Sequence, residues 1–177
     1  MLSLMMNKDI HAYQRRYWNE LTELRVSVYY LELLESKLRR KDFFLRAFLL
    51  LASASSIATW ALWDEYPVLW ASIIGAAQVL TVIEPIMPFK KLLKGVSALA
   101  PTRKNHAIDV EEAWHDVAKG KFSDSEINTR CAEIQRSRLR DVTSHLKEIV
   151  IPEDSKIMHA ATSRADRYFQ SRYGGTQ

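Results

Sequence analysis

Two long uncharged segments stand out in the pattern of apolar and polar positions. Residues 47–63 contain no charged side chain, and after Asp64 and Glu65 the chain is again uncharged through residues 66–83. About 20 mostly apolar residues are needed to cross a hydrocarbon core of roughly 30 Å as a helix, and each segment reaches that length with its flanks. Two buried core helices are the alternative, but so short a chain has little other apolar material to cover them. The predicted transmembrane helices are residues 43–63 and 67–87.

Residues 8–41 are polar overall but repeat apolar side chains at heptad spacing. Gln14 and Glu35 fall on the same stripe, where apolar groups are expected, so the pattern fits a bundle helix as well as a coiled coil. We expect an amphipathic helix that packs on the rest of the chain, in preference to a zipper for a separate partner. The first forty residues also lack the early apolar core of a cleavable signal peptide. The apolar positions are Ile10, Tyr17, Leu21, Leu24, Val28, Leu31 and Leu38.

Proline and glycine divide the remainder of the chain. Pro85 and Pro88 should interrupt the second span, because each removes a backbone donor and crowds the preceding turn. A short amphipathic piece at 92–99 leads into Pro101, and a separate helix is predicted over 108–118.

A capping box at Ser123 and Glu126 predicts the start of a helix that runs to about residue 149. A last helix is predicted over about 154–173, before Gly174 and Gly175. We find no strand-like alternation. The predicted fold is an all-α membrane protein with a two-helix transmembrane hairpin, divided into an N-terminal amphipathic helix (1–42), the hairpin (43–88) and a helical cytoplasmic tail (89–177).

Basic side chains flank the two spans on one side, whereas the short connection between them is acidic. Lys and Arg close to membrane ends are retained in the cytoplasm, so both termini should be cytoplasmic. Tryptophans near the connection should lie at the opposite headgroup level. The predicted membrane-interface residues are Arg39, Arg40, Lys41, Lys90, Lys91 and Lys94 on the cytoplasmic side, and Trp63 and Trp70 on the other.

The spans themselves carry polar and small side chains. Ser56, Thr59, Gln78, Thr81 and Glu84 are candidates for lining a water-filled path between associated hairpins, because polar groups facing lipid are costly. The alternative for Glu84 is a position in the headgroup region beside Lys90. A small-residue surface suited to close helix approach is formed by Ala71, Ser72 and Gly75.

Little in the sequence points to catalysis or to metal binding. The five histidines lack ligand spacing, and the single cysteine, Cys131, lies on an apolar helix side with Ile127 and Ile134, so we expect no metal and no cofactor. Asp109, Glu111 and Glu112 fall at a predicted helix start, where the helix dipole explains them without catalysis. The pI near 9.2 raises the question of nucleic acid, but acidic residues are interleaved with the tail arginines. We expect neither an enzyme nor a nucleic-acid-binding protein.

The order of these segments resembles the SLATT family, the two-transmembrane effector domains found beside nucleotide-sensing proteins in bacterial defence systems. The likeness is carried by the helix over 10–38, the spans near 43–63 and 67–87, and the helical tail. It implies a multi-pass protein of the bacterial inner membrane that assembles with other copies and permeabilises the bilayer in anti-phage defence. It also implies a separate sensor protein encoded nearby. The alternative is a membrane-anchored scaffold whose cytoplasmic helices recruit a partner.

Overall fold

Every regular element in the described part of the chain is a helix. The computed structural model describes residues 12–58, 67–84, 87–146 and 149–174, and side chains throughout them except at 52–58, 67 and 70. No strand occurs in these ranges, which confirms the all-α prediction. The five helices are α1 (Ala12–Ala58), α2 (Pro67–Ile83), α3 (Pro88–Ala118), α4 (Asp124–Leu146) and α5 (Ser155–Tyr173).

Internal contacts divide the chain into two units. One unit consists of residues 1–35 and 95–177, and we call it the bundle. The other consists of residues 36–94, and we call it the apolar unit. The predicted N-terminal helix and the predicted tail therefore pack against each other, although sixty residues separate them in the sequence.

Helix α1 contributes the central stripe of the bundle core. It contains neither glycine nor proline, so nothing in its sequence interrupts the backbone hydrogen bonds. The predicted apolar stripe is buried within the chain itself, which confirms an amphipathic helix packed on the rest of the protein. The buried members of that stripe in the bundle are Tyr17, Leu21, Leu24, Val28 and Leu31.

The two polar positions on this stripe are satisfied by the tail. Gln14 donates from Nε2 to the carbonyl of Val117 at 2.9 Å, and Glu35 accepts from the Ser97 hydroxyl at 2.8 Å. Both are therefore accommodated as specific contacts with α3, because a buried polar group is tolerated when it is hydrogen-bonded.

The predicted break at Pro101 is wrong. Helix α3 continues through Pro101, and the pieces predicted at 92–99 and 108–118 are parts of one helix. Proline in a helix interior costs about 3 kcal/mol, because it lacks the N–H group and clashes with the preceding turn. Burial on both sides of the proline offsets that cost. The buried α3 side chains in the bundle are Val96, Leu99, Ala100, Arg103, Ala107, Val110, Glu111, Trp114 and Val117.

Capping begins α4 and α5 as the sequence predicts. The Ser123 N–H donates to the Glu126 carboxylate at 2.7 Å, and the Glu126 N–H donates back to the Ser123 hydroxyl at 3.4 Å. The Ser123 N–H and the Ser123 hydroxyl, which both donate to the Glu126 carboxylate, lower the pKa of Glu126 because they stabilise its charged form. Asp154 caps α5 by accepting from the N–H groups of Lys156 and Ile157. Both predicted helix starts are confirmed.

The apolar stripe of α4 is shorter than its sequence suggests. Ile127, Cys131, Ile134 and Leu146 are buried, but Leu139 is exposed. In this part of α4 a charged side chain, and not an apolar one, contacts α1. Arg138 reaches Glu20 of α1 at 3.3 Å.

The segment between α2 and α3 is the predicted interruption of the second span. Helix α2 ends at Ile83 and α3 begins at Pro88, a position where the missing N–H is tolerated.

No single helix in the described ranges has the length and apolar composition needed to cross a bilayer alone. Ala71–Ile83 and Pro88–Ala118 reach that length and composition only when taken together, as a pair bent by 51°. The connection predicted at 64–66 lies outside the described residues.

Replacing Pro101 by alanine should stabilise the bundle. Pro101 is exposed, so the change removes no buried contact, and it restores a donor for the carbonyl one turn earlier. We expect the free energy of unfolding to rise by about 1–3 kcal/mol. Chemical denaturation of the purified protein, followed by circular dichroism, measures this. An unchanged or lower value would mean that α3 is not continuous in solution.

Candidate functional site

Exposed apolar side chains are concentrated in the apolar unit. Sixteen large apolar side chains are exposed in the described ranges, and ten of them belong to this unit. Val68 is 78% exposed and Val82 is 73% exposed, whereas only Leu38, Ala77 and Leu92 are buried there. Monomeric soluble domains rarely present so much apolar surface together. The other exposed members are Phe43, Phe44, Phe48, Leu50, Leu51, Leu69, Val79 and Ile83.

The predicted lining positions on α2 are exposed. Gln78 and Thr81 lie three residues apart, and so on neighbouring positions of one helix side. The Thr81 hydroxyl donates to the carbonyl of Ala77 at 2.8 Å, so that group is satisfied within the helix. Ser56 and Thr59 were also predicted to line the water-filled path, but their side chains are not among those that the structure describes.

The small-residue surface of α2 is also exposed. Ala71, Ser72 and Gly75 all lie at the surface, and a Cβ added to Gly75 would meet no atom within 4 Å. Ser72 donates to the carbonyl of Val68 at 2.7 Å, which satisfies its hydroxyl locally. In the described structure these residues present a shallow apolar surface, and their role in helix packing stays a prediction.

Glu84 forms an ion pair with Lys90 across the break between α2 and α3. Lys90 also approaches Asp42 of α1 at 3.7 Å, and Asp42 contacts Arg46 at 2.8 Å one turn later. This arrangement matches the alternative prediction, in which Glu84 lies beside Lys90. The two carboxylates and Lys90 are mostly shielded from solvent, so the pairs are stronger than typical surface pairs.

The predicted basic interface residues fall into two groups in the structure. Arg39, Arg40, Lys41, Lys91 and Lys94 are exposed, whereas Lys90 is partly buried in the ion pairs just described. Trp63 and the side chain of Trp70 lie outside what the structure describes.

A buried charged cluster centres on Glu111 in the bundle. Its carboxylate pairs with Arg25 of α1, and each of these two side chains is only 7% exposed. From α5, the Tyr168 hydroxyl donates to Glu111 Oε1 at 2.8 Å, Arg172 Nε lies 2.9 Å from it, and the Tyr173 hydroxyl donates to it at 3.1 Å. One carboxylate thus joins three helices.

The helix start predicted near Asp109, Glu111 and Glu112 is wrong. Helix α3 begins at Pro88, so the helix dipole does not explain Glu111. Helical periodicity in the sequence could have indicated that Glu111 is buried. It lies one turn after Ala107 and three residues before Trp114, on the same side of the helix. All three are buried.

An open groove of about 1050 Å³ runs along this cluster. Aromatic side chains of Trp114, Tyr168 and Tyr173 line it together with charged groups of both signs. Burial raises the pKa of Tyr168 and of Tyr173, and the neighbouring Glu111 carboxylate raises both further. The tyrosines therefore stay protonated and act as hydrogen-bond donors to Glu111.

Arg103, His106 and Asp141 form a second charged cluster, between α3 and α4. Arg103 Nε lies 3.9 Å from Asp141 Oδ2, and His106 Nδ1 lies 3.8 Å from the same oxygen. None of these three buried atoms has a hydrogen-bond partner among the described residues. Burial lowers the pKa of His106 more than Asp141 raises it, so the imidazole is neutral near pH 7.

Cys131 is buried with Ile127 and Ile134, which confirms the prediction of a core position. Burial raises the pKa of its thiol and so lowers its reactivity. Among the residues that the structure describes, no group of three or more His, Cys, Asp or Glu side chains is placed to hold a metal ion.

Comparison with known proteins gives no match. No family model, no curated protein and no solved structure is significantly similar to this chain.

Changing Glu111 to glutamine should destabilise the bundle strongly. The change leaves Arg25 buried without a counter-charge, a situation that costs about 3–5 kcal/mol. The matched control is Glu112→Gln on the exposed neighbouring position, for which we expect less than about 0.5 kcal/mol. Denaturant unfolding measures both. Equal effects would show that the Glu111 cluster does not hold the three helices together.

Acidification should weaken the bundle through His106. The unfolded imidazole takes up its proton near pH 6.5, and the folded one only at lower pH. The unfolded state therefore binds more protons in between, and stability falls as the pH drops from 6.5 through the folded pKa. His106→Gln should reduce this loss between pH 7 and pH 5. His159→Gln, at an exposed position of α5, is the control, and an unreduced loss in His106→Gln would contradict the assignment.

Proposed function

We propose that this chain is a membrane effector whose apolar unit inserts into the bacterial inner membrane. Copies associate through the inserted helices and form a pore or disrupt the bilayer, while the bundle remains in the cytoplasm as a folded module. Following the resemblance to the SLATT family, the setting we propose is anti-phage defence with a separate sensor protein. The chain is not proposed to catalyse a reaction.

The observation that carries this proposal is the exposed apolar surface of residues 43–83. Among the described side chains, the bundle buries a continuous core and leaves six large apolar ones exposed over its 118 residues, whereas the 59-residue apolar unit exposes ten. Burying such surface is favourable by about 25 cal/mol per Å², so water is a poor environment for this unit. In the proposed membrane state, these exposed side chains are buried against lipid and against neighbouring copies of the chain.

Gln78 and Thr81 support the pore-forming part of the proposal. The Thr81 hydroxyl has a partner within α2, whereas the Gln78 amide is a larger exposed polar group in the middle of an apolar helix. Such a group is costly against lipid and is normally turned toward other helices or a water-filled path. Glu84 is a weaker candidate for this role, because it pairs with Lys90.

A charge in the exposed surface of α2 should prevent insertion. Val79 is 61% exposed and lies in the middle of the segment, so Val79→Lys would place an ammonium group in hydrocarbon. The cost is about 2.5–3.5 kcal/mol or more, enough to shift insertion by about a hundredfold. Resistance of the expressed protein to alkaline carbonate extraction measures this.

The matched control is Val150→Lys, because Val150 is 85% exposed in the bundle. We expect that variant to remain in the membrane fraction like the unaltered chain. If both variants, or neither, lost membrane association, the apolar unit would not be the inserted part.

Pore formation is tested separately from insertion. Liposomes carrying the purified protein should release a small dye, and Gln78→Leu should lose at least about tenfold in leakage while inserting normally, because the polar lining is gone. Val79→Leu is the control at the next position. Leakage that is unchanged in Gln78→Leu would exclude this residue from a conducting path.

The alternative function is a membrane-anchored scaffold whose bundle recruits a partner. The open groove beside Glu111, with its aromatic and charged lining, is the observation that favours it. Replacing residues 43–88 by an unrelated two-helix hairpin separates the two functions. A scaffold keeps its activity in cells after this exchange, whereas a pore former loses it.

A further inference from the structure

The net positive charge of the chain belongs entirely to the apolar unit. Residues 36–94 contain eight Lys and Arg against four Asp and Glu, and the bundle contains seventeen of each. The apolar unit therefore carries the whole formal charge of +4. A charge excess on the one unit that also exposes apolar surface indicates a partner that is both apolar and anionic.

The acidic groups described in this unit are occupied internally. Asp42 contacts Arg46 and approaches Lys90, and Glu84 pairs with Lys90. The charges of these two carboxylates are matched by Lys90 and Arg46, so the other basic side chains nearby give the unit its net positive charge. They also connect the segment around Asp42 with the start of α3, which are about fifty residues apart in the sequence.

Two exposed basic segments are thereby brought to one end of the apolar unit. Arg40 and Lys41 immediately precede Asp42 on α1, whereas on α3 Lys91 immediately follows Lys90 and Lys94 lies about one turn after it. All four side chains are exposed. Because Asp42 and Lys90 lie 3.7 Å apart at the closest atoms, the four cations flank one contact point.

We propose that this basic surface, formed by Arg40, Lys41, Lys91 and Lys94, binds the headgroups of anionic phospholipids. The inference rests on the proposed membrane insertion of the apolar unit and adds the class of lipid that it selects. Each basic side chain close to an anionic surface strengthens association by about fivefold. Exposed Phe43 and Phe44, which follow Lys41 on α1, place apolar surface directly beside these charges.

Lipid selectivity in a reconstituted bilayer tests the proposal. The full chain is placed in phosphatidylcholine vesicles with a trace of spin-labelled phosphatidylcholine or spin-labelled phosphatidylglycerol. Electron paramagnetic resonance then gives the fraction of each lipid that is immobilised at the protein surface. We expect several-fold preference for phosphatidylglycerol, reduced toward equality in 1 M NaCl, where the screening length is about 3 Å.

The decisive variant carries Arg40→Gln, Lys41→Gln, Lys91→Gln and Lys94→Gln, and it should lose the preference for phosphatidylglycerol. The matched control removes four exposed positive charges from the bundle, at Arg136, Arg140, Lys156 and Arg167, each changed to glutamine, and it should keep the preference. Immobilised phosphatidylcholine without any preference for phosphatidylglycerol would overturn the lipid proposal and leave insertion standing. Absence of immobilised lipid of either kind would overturn insertion itself, and this inference with it.

Discussion

Burial of apolar side chains is the constraint on which the rest of this structure depends. The two units differ in how far their own helices achieve it. In the bundle, α1, α3, α4 and α5 bury Tyr17, Leu24, Val117 and Phe169 together, so the unit needs no further cover for its core. The apolar unit has no comparable core among its described residues. Its exposed valines, leucines and phenylalanines are the basis of the proposed function, because no described side chain of the unit removes them from water.

The charged groups follow the same division. In the bundle, opposite charges balance and are paired between helices, as in the Glu111 cluster, where Arg25 comes from α1 and Arg172 from α5. In the apolar unit, the carboxylates of Asp42 and Glu84 are paired near Lys90, and the remaining cations are exposed around them. An apolar surface bordered by exposed cations is the arrangement expected of a protein that contacts a membrane with anionic lipids.

Much of the helical framework could be predicted from the sequence, because its signals are local. The heptad stripe of α1, the capping box at Ser123 and the proline interruption before α3 each depend on residues within one or two turns. The errors came from tertiary contacts. Local propensity predicts a helix end at Pro101, but the burial of α3 side chains on both sides of it outweighs that preference.

The candidate sites were less predictable than the helices. Glu111 reads as a surface acid in the sequence, since its partners on α1 and α5 are 86 and 57 residues away. The alternative prediction placed Glu84 beside Lys90, which is only six residues away, but it did not include the ion pair between them. The approach of Asp42 to Lys90 had no sequence signal, yet it is what brings the two basic segments together.

Insertion of the apolar unit is the central claim, and the depth of a single side chain in the bilayer tests it most directly. Cysteine introduced at Val79, and separately at exposed Leu139 of the bundle, would carry an environment-sensitive fluorophore, while buried Cys131 is protected from labelling. In lipid nanodiscs the account predicts quenching of the label at position 79 by a lipid-borne quencher and quenching at position 139 by aqueous iodide. Quenching of both labels by iodide alone would contradict it.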